Sequence, residues 1–291
     1  MLKKFQFQIE ETIYKNRLDK FLFDEITSLS RMYLKHLILD GNCTVNGKIE
    51  NGGYHLKSSD FVEIEIDIKA EIEMIPENIP LEIVFEDSEL IVLNKPSGML
   101  VHPTKGVRRG TLLNALLFHL NSDEHGEIKN GKLIRAGLVH RLDKQTSGLM
   151  VIAKNPRSHR ILCSHFQRRL VEKKYLAVVE GIVGEDCGTI NAPIGRNAEE
   201  RFWHISLDGK SAESRFRVVK RFSDKTLLEL EPVTGRTNQL RLHCAHIGHP
   251  IIGDDKYGGR DFQRLCLHAA KLAFWHPNGS NRLMFESLLF Q

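Results

Sequence analysis

The stretch that most limits how this chain can fold is IKAEIEMIPENIP, Ile68 to Pro80, with two prolines, several acids and little periodicity. Proline lacks the backbone donor and pushes its predecessor towards extended geometry, so the run reads as a linker between two folded parts. The expected organisation is therefore a small domain over residues 1–67, a linker over 68–80 and a larger domain over 81–291.

In the first part, Leu18, Phe21, Leu22 and Ile26 recur at helical spacing. A second helix is expected from a Ser30 cap to Asp40, burying Tyr33, Leu34, Leu37 and Ile38, with Gly41 ending it. Asn46-Gly47 signals a hairpin, and Phe61, Ile64 and Ile66 belong to an extended segment. Two short helices followed by a small hairpin resemble an S4-type RNA-binding module. On that resemblance, Arg31 and Lys35 on the second helix are its expected phosphate contacts.

After the linker come two β-rich runs around EDSE, closed by Lys95-Pro96-Ser97-Gly98. A helix is expected from a Thr111 cap to Leu120. Another opens at Asn155-Pro156, a cap and first-turn proline, and runs to about Arg169 with Leu162, Phe166 and Leu170 inward. Arg157, Arg160, Arg168 and Arg169 are left to face outward, towards phosphate. EKKYLAVVEG, SAESRFRVVKRF, KTLLELEPVTG and RLCLHAAKLAF read as strands, and RTNQLRLHCAHIG as a helix. Many strands with few helices indicate an α+β domain around a largely antiparallel sheet.

The formal net charge is only +4, so a nucleic-acid surface has to come from clustering. Residues 1–70 carry ten Lys/Arg against eleven Asp/Glu, whereas residues 131–175 carry eleven against two. Five cysteines (Cys43, Cys163, Cys187, Cys244, Cys266) form no C-x-x-C pair, which argues against a zinc site or a disulfide framework. The N-terminus lacks the apolar run of a signal peptide, and no stretch approaches a membrane span. The expectation is a cytoplasmic protein with no membrane partner.

Chemistry has few candidates. The HExxH, full Walker GxxxxGKS/T, GxSxG and GxGxxG patterns are missing. His243 and His246 stand three apart without a carboxylate or cysteine motif to complete a metal site, so no metal is expected. In GLVHRLDKQTSGLMVIAK, Gly137 to Lys154, the lone acid Asp143 sits among cations. Such neighbours are expected to depress its pKa and keep it ionised. An ionised carboxylate suits a nucleophile or electrostatic stabiliser, and a sugar anomeric carbon is a natural target. Ordinary glycoside hydrolysis would need a second acid, and none is evident.

HRLDKQTSG (His140 to Gly148) resembles the HRLDxxTSG signature of the RluA-type pseudouridine synthases. NKPSGMLVHP, EKKYLAVVEG, PVTGRTNQLRLH and GHPIIGDDKYGG resemble four more family segments in the family's order, so the resemblance covers nearly the whole chain. It implies a cofactor-free isomerisation of uridine in RNA: N1–C1′ breaks, the detached uracil turns, and C5 bonds to C1′. By the same resemblance Asp143 is the catalytic carboxylate, by attack on C1′ or by assisting 2′-proton removal. Arg241 pairs with it, and Tyr175 stacks on the uracil with its hydroxyl near the C5 proton. Arg141 fills the stack vacated by the flipped base, and His140, Arg236 and Gln239 join the RNA contacts. Thr146, Ser147 and Gly148 shape the turn presenting Asp143. Asn238 stands where the family usually has histidine. DGKSAESRFRV and the RDF before RLCLHAA lean towards the RluC-type branch. The expected partner is large-subunit ribosomal RNA and the expected state a monomer, with tRNA, or a non-catalytic RNA-binding protein of ribosome assembly, as alternatives.

Overall fold

The computed structural model describes residues 2–10, 16–26, 31–67, 75–104, 106–123, 136–197, 202–279 and 281–288. Ser30, the side chain of Arg31 and residues 68–74 of the expected linker lie outside the described residues. The described residues divide into two compact units between Ile75 and Pro76.

The first unit contains β1 (Leu2–Gln8), α1 (Leu18–Glu25), α2 (Arg31–Leu39), β2 (Cys43–Val45), β3 (Lys48–Ile49) and β4 (Phe61–Asp67). Its antiparallel sheet has the order β1-β4-β2-β3. Leu18, Phe21, Leu22, Ile26, Leu34, Leu37 and Ile38 are buried with Val62, Ile64 and Ile66. Asn46 and Gly47 both take positive φ, 52° and 75°, the geometry a two-residue hairpin of the right twist requires. Strand β1 is a finding beyond the sequence reading: Phe5 and Phe7 pack on this core, and Phe7 meets Phe21 edge to face at 5.4 Å.

The second unit runs β5 (Glu82–Glu86), β6 (Leu90–Lys95), α3 (Leu112–Asn121), β7 (Gly137–Leu138), β8 (Ser147–Ala153), α4 (Pro156–Gln167) and β9 (Glu172–Glu180). It continues with β10 (Cys187–Asn191), β11 (Ile194–Asn197), β12 (Phe202–Ile205), β13 (Glu213–Arg221), β14 (Lys225–Pro232), α5 (Gln239–His246), β15 (Leu267–Trp275) and β16 (Arg282–Glu286). The main sheet has the order β10-β13-β14-β9-β15-β8-β6-β5, with β16 beside β15 and β7 beside β8; β11 and β12 form a separate ribbon. Pairing is antiparallel except where β15 meets β8. This is the mixed, mostly antiparallel α+β architecture that the strand-rich pattern predicts.

Every residue of β8 is buried, because both faces are covered. Leu149 and Val151 pack with Leu162 and Phe274 on one side, while Met150 and Ile152 pack with Leu112 and Leu116 on the other. A strand buried on both faces is apolar without alternation, which accounts for the run GLMVIA. Thr111 and Asn114 make a capping box at α3, and Asn155 caps α4 by accepting from Ser158 N, with Pro156 in the first turn. Helix α4 ends at Gln167, two residues short of the expected Arg169, and Leu170 is half exposed beyond it rather than part of an inner stripe. No helix among the described residues is long and apolar enough to cross a membrane.

The close approach of β15 to β8 depends on Gly148. Its φ is +119°, and a Cβ there would lie 2.4 Å from the Ala269 carbonyl oxygen. The glycine lets the turn after Asp143 enter the sheet beside β15.

Candidate active site

Asp143 sits in the turn between β7 and β8, where its carbonyl accepts from Thr146 N at 3.1 Å. The turn opens onto a cavity of about 580 Å³ in the second unit. Strand β9 supplies Tyr175, the end of α4 supplies Phe166 and Gln167, and the segment from Pro232 into α5 forms the opposite wall. His140, Arg141, Asp143, Arg169, Tyr175, Arg236, Gln239 and Arg241 therefore line one cavity, although they are scattered over a hundred residues of sequence.

The carboxylate of Asp143 is half-buried and has no hydrogen bond or ion pair to any described side chain. Burial pushes its pKa up; the cations Arg241, Arg141, Lys95 and Lys256 pull it down in that order without cancelling the burial. This corrects the sequence expectation of a depressed pKa. Charge neighbours were visible in the sequence, but the loss of water around the carboxylate was not, and desolvation is the larger effect.

A second correction concerns Arg241. It does not pair with Asp143. Its Nε donates to Asp254 Oδ2 at 2.7 Å and its Nη2 to Asp254 Oδ1 at 2.6 Å, a bidentate bond in which Asp254 is fully buried. Backbone amides of Lys256 and Tyr257, each at 3.2 Å, complete the Asp254 shell. A fully buried carboxylate demands a fixed counter-charge and fork geometry, whereas half-buried Asp143 does not. Burial opposes the Arg241 charge, but Asp254, with Asp143 adding attraction, raises its pKa above the usual value. Arg241 is thus a fixed cation facing Asp143, and Asp254, in GHPIIGDDKYGG, is the residue the sequence reading missed.

Tyr175 lies on a central strand, paired with Leu230 on one side and Ala269 on the other. Burial, and then the charge of Asp143, raise its phenol pKa, so it is a neutral donor at physiological pH. His140 is also neutral: burial and Lys173 lower its pKa to about 3. Its Nε2 accepts from Val151 N at 3.0 Å, and its ring stacks on Phe166 at 4.6 Å. That nitrogen is committed to β8, so His140 braces the turn instead of offering both nitrogens to RNA.

Gln239 is likewise spent internally. Its Oε1 accepts from Thr234 Oγ1 (2.7 Å) and Arg236 N (2.9 Å), and its Nε2 donates to Glu213 O (2.8 Å) and Ser214 Oγ (2.9 Å). With all four bonds made, the expected RNA contact is replaced by a role in holding the Thr234–Arg236 turn. Arg236 is exposed, with Nε fixed on Ser211 O at 3.1 Å. Asn238 takes a left-handed φ of 55°, donates to the Tyr257 hydroxyl at 2.9 Å, and accepts from Arg241 Nη1 at 3.5 Å.

The basic strip divides. Arg169 lines the cavity, and exposed Arg168 and Arg160 do not. Arg157, at the far end of α4, lies 4.0 Å from Glu89. Lys35 is exposed on α2 in the first unit. Lys95 was quoted within a motif but assigned no task. It is fully buried, and its Nζ donates to the carbonyls of Pro96 (2.7 Å), Met99 (2.9 Å) and Lys144 (3.3 Å). Burial lowers its pKa to about 8, against the attraction of Asp143. It ties the strand β6 exit to the residue after Asp143. Among the described residues no group of three or more His, Cys, Asp or Glu is placed to hold a metal ion. His243 bonds the Ala192 carbonyl instead, at 3.0 Å.

Comparison with known proteins shows the family. The profile of the RNA pseudouridylate synthase family matches residues 89–246. A Bacillus subtilis (strain 168) protein named as an uncharacterized RNA pseudouridine synthase is 41% identical, over 94% of this chain and 90% of its own length. The ribosomal large subunit pseudouridine synthase D of Pseudomonas aeruginosa is 40% identical, over 94% of this chain and 88% of its own. The solved structure of human RNA pseudouridylate synthase domain containing 1 superposes with a TM-score of 0.60 at 26% identity, over 73% of this chain and 85% of that one. The relatives named for the large subunit here carry the D designation, not the RluC branch towards which DGKSAESRFRV leaned. The chain belongs to the RluA-type RNA pseudouridine synthases and is an RNA-modifying isomerase.

Proposed function

We propose that this protein converts uridine to pseudouridine in large-subunit ribosomal RNA, with Asp143 as the carboxylate acting at the ribose. The observation that carries the reading is the Asp143 carboxylate itself: half-buried, without a hydrogen bond or ion pair to any described side chain, and faced by Arg241, Arg141, Lys95 and Lys256. An acid serving only the fold would be expected to be paired, as Asp254 is. The cavity of about 580 Å³ is large enough for a flipped nucleoside.

In the reaction N1–C1′ breaks, and the uracil leaves with the bonding pair while C1′ becomes electron-poor. Asp143 acts at the sugar, either on C1′ or in removing the 2′ proton. The uracil turns, C5 bonds to C1′, C5 loses its proton and N1 gains one, so the product is an isomer. Tyr175, as a neutral ring on a rigid strand, is the stacking platform that keeps the free uracil in place. Arg241 is locked by Asp254, so it supplies a fixed positive field at Asp143 without neutralising it by contact.

The large-subunit target is supported by the relatives named for that RNA in Pseudomonas aeruginosa and Vibrio cholerae. The first unit is read as an S4-type RNA-binding module, with Lys35 and Arg31 on phosphate. The protein is read as a cytoplasmic monomer that needs no cofactor. Pseudouridine mapping of total RNA with and without the gene tests the proposal. A large-subunit position should lose its pseudouridine and regain it from the wild-type gene but not from Asp143→Asn. Loss confined to tRNA would move the target, and no lost site would defeat the catalytic reading.

A further inference from the structure

A second cavity, of about 430 Å³, lies on the other side of the turn that carries Arg236. Its walls come from ribbon β11–β12, the loop to Lys210, and Gly235, Arg236 and Thr237. The last three residues also line the Asp143 cavity, so the two spaces share one lip.

The lining combines an aromatic ring with several cations. Trp203 is half-buried, packed against the Ile194, Ala212 and Leu242 cluster, and the Arg196 guanidinium lies 5.7 Å from its ring centroid. Arg196, Lys210 and Arg236 are exposed around it, and Asp208 is the single acid among the described lining residues. An aromatic ring among cations binds the face of a base and the phosphate beside it, and is tolerant of sequence. Asp208 can accept from an exocyclic amine or a ribose hydroxyl.

The site is also built in advance. Ile194 and Lys210 exchange backbone bonds of 3.0 and 2.9 Å, and Ser206 N donates to Pro193 O at 2.9 Å. Gly209 lies so close to the ribbon that a Cβ would come within 2.5 Å of the Ile194 carbonyl carbon. The loop is therefore clamped onto β11, and Arg236 is aimed by its bond to Ser211 O.

We infer that this cavity holds a nucleotide adjacent to the target uridine, its base stacked on Trp203 and its phosphate on Arg196, Lys210 and Arg236. The inference rests on the proposed function, since a strand whose uridine enters the Asp143 cavity would cross the shared lip into the second. Flipping the uridine then costs less, because its neighbour is held outside the helix on a stacking surface of its own.

The chain has two tryptophans, Trp203 and Trp275, so Trp275→Phe leaves Trp203 as the only indole. Its fluorescence is followed while a large-subunit rRNA transcript is added, alongside pseudouridine formation on that transcript. Quenching that saturates with the RNA is expected. Trp203→Ala should weaken binding about 5- to 150-fold, with Trp203→Phe restoring most of it. Lys210→Ala, on an exposed side chain, should lower the salt slope of binding by about 0.7. A base-less nucleotide placed next to the target should slow wild type and leave Trp203→Ala unaffected at one flanking position. Unquenched Trp203 in a protein that still forms pseudouridine, or a Trp203→Ala variant that binds as wild type, overturns the subsite alone. A wild-type protein that binds the transcript but forms no pseudouridine overturns the function and leaves a binding site.

Discussion

Arg241→Met separates the two pairings open to this arginine. The substitution keeps roughly the same volume but leaves Asp254, which is fully buried, with only the Lys256 and Tyr257 amides at 3.2 Å among the described residues. Removing one partner of a buried ion pair costs about 3–5 kcal/mol, because the other charge stays buried without compensation. In a unit of this size each kcal/mol moves the thermal midpoint by about 2–4 °C, so the unfolding transition should fall by about 6–20 °C. Arg241→Met combined with Asp254→Leu removes both charges and should recover most of that loss, since an apolar pair of similar volume avoids the desolvation cost. Activity should not return with stability, because the fixed positive field at Asp143 is still gone. Calorimetry on the wild type, both single variants and the double variant gives the coupling energy directly. A midpoint for Arg241→Met within about 2 °C of wild type, or a double variant no more stable than the single ones, would refute the assignment of Asp254 as partner.

Three further outcomes follow from the same geometry. Because burial raises the Asp143 pKa, the folded state binds the extra proton more readily than the unfolded chain, and the stability this gives is lost as pH rises through the folded value. Asp143→Asn should therefore melt higher than wild type at neutral pH, and the acid limb of the wild-type rate profile should lie above the ordinary carboxylate pKa; a lower melting point would refute this. Gly148→Ala places a Cβ 2.4 Å from the Ala269 oxygen at φ +119°, and should cost about 3 kcal/mol or more in denaturant unfolding. Arg169→Ala, in the cavity wall, should reduce the salt slope of RNA binding by about 0.7, whereas Arg157→Ala, beside Glu89, should leave it unchanged.

Local signals in the sequence translated directly into structure. Thr111, Asn155-Pro156 and Asn46-Gly47 act within a few residues, and each caps or turns where its chemistry requires. The motifs around Asp143, Tyr175 and Arg241 also placed three cavity residues that lie on different elements. What escaped depends on contacts made across the fold. Strands β10, β11 and β12 are short and only partly buried, so their apolar alternation is weak. The partner of Arg241 escaped because what singles out Asp254, its complete burial, is not displayed by the sequence, whereas the motif around Asp143 drew the pairing there. The direction of the Asp143 shift failed for the same reason: sequence displays charges but not the exclusion of water. Lys95 looked like part of a turn, yet its ammonium is the buried tie among three carbonyls.

The central claim, that Asp143 is the carboxylate of uridine isomerisation, is tested most directly by tritium release. A large-subunit rRNA transcript carrying uridine tritiated at C5 loses its label only when the C5 proton leaves, so counting released tritium counts turnovers. Wild-type protein should release one tritium per target uridine, and Asp143→Asn should release none while still binding the transcript and staying folded. Release by Asp143→Asn at the wild-type rate would contradict the account.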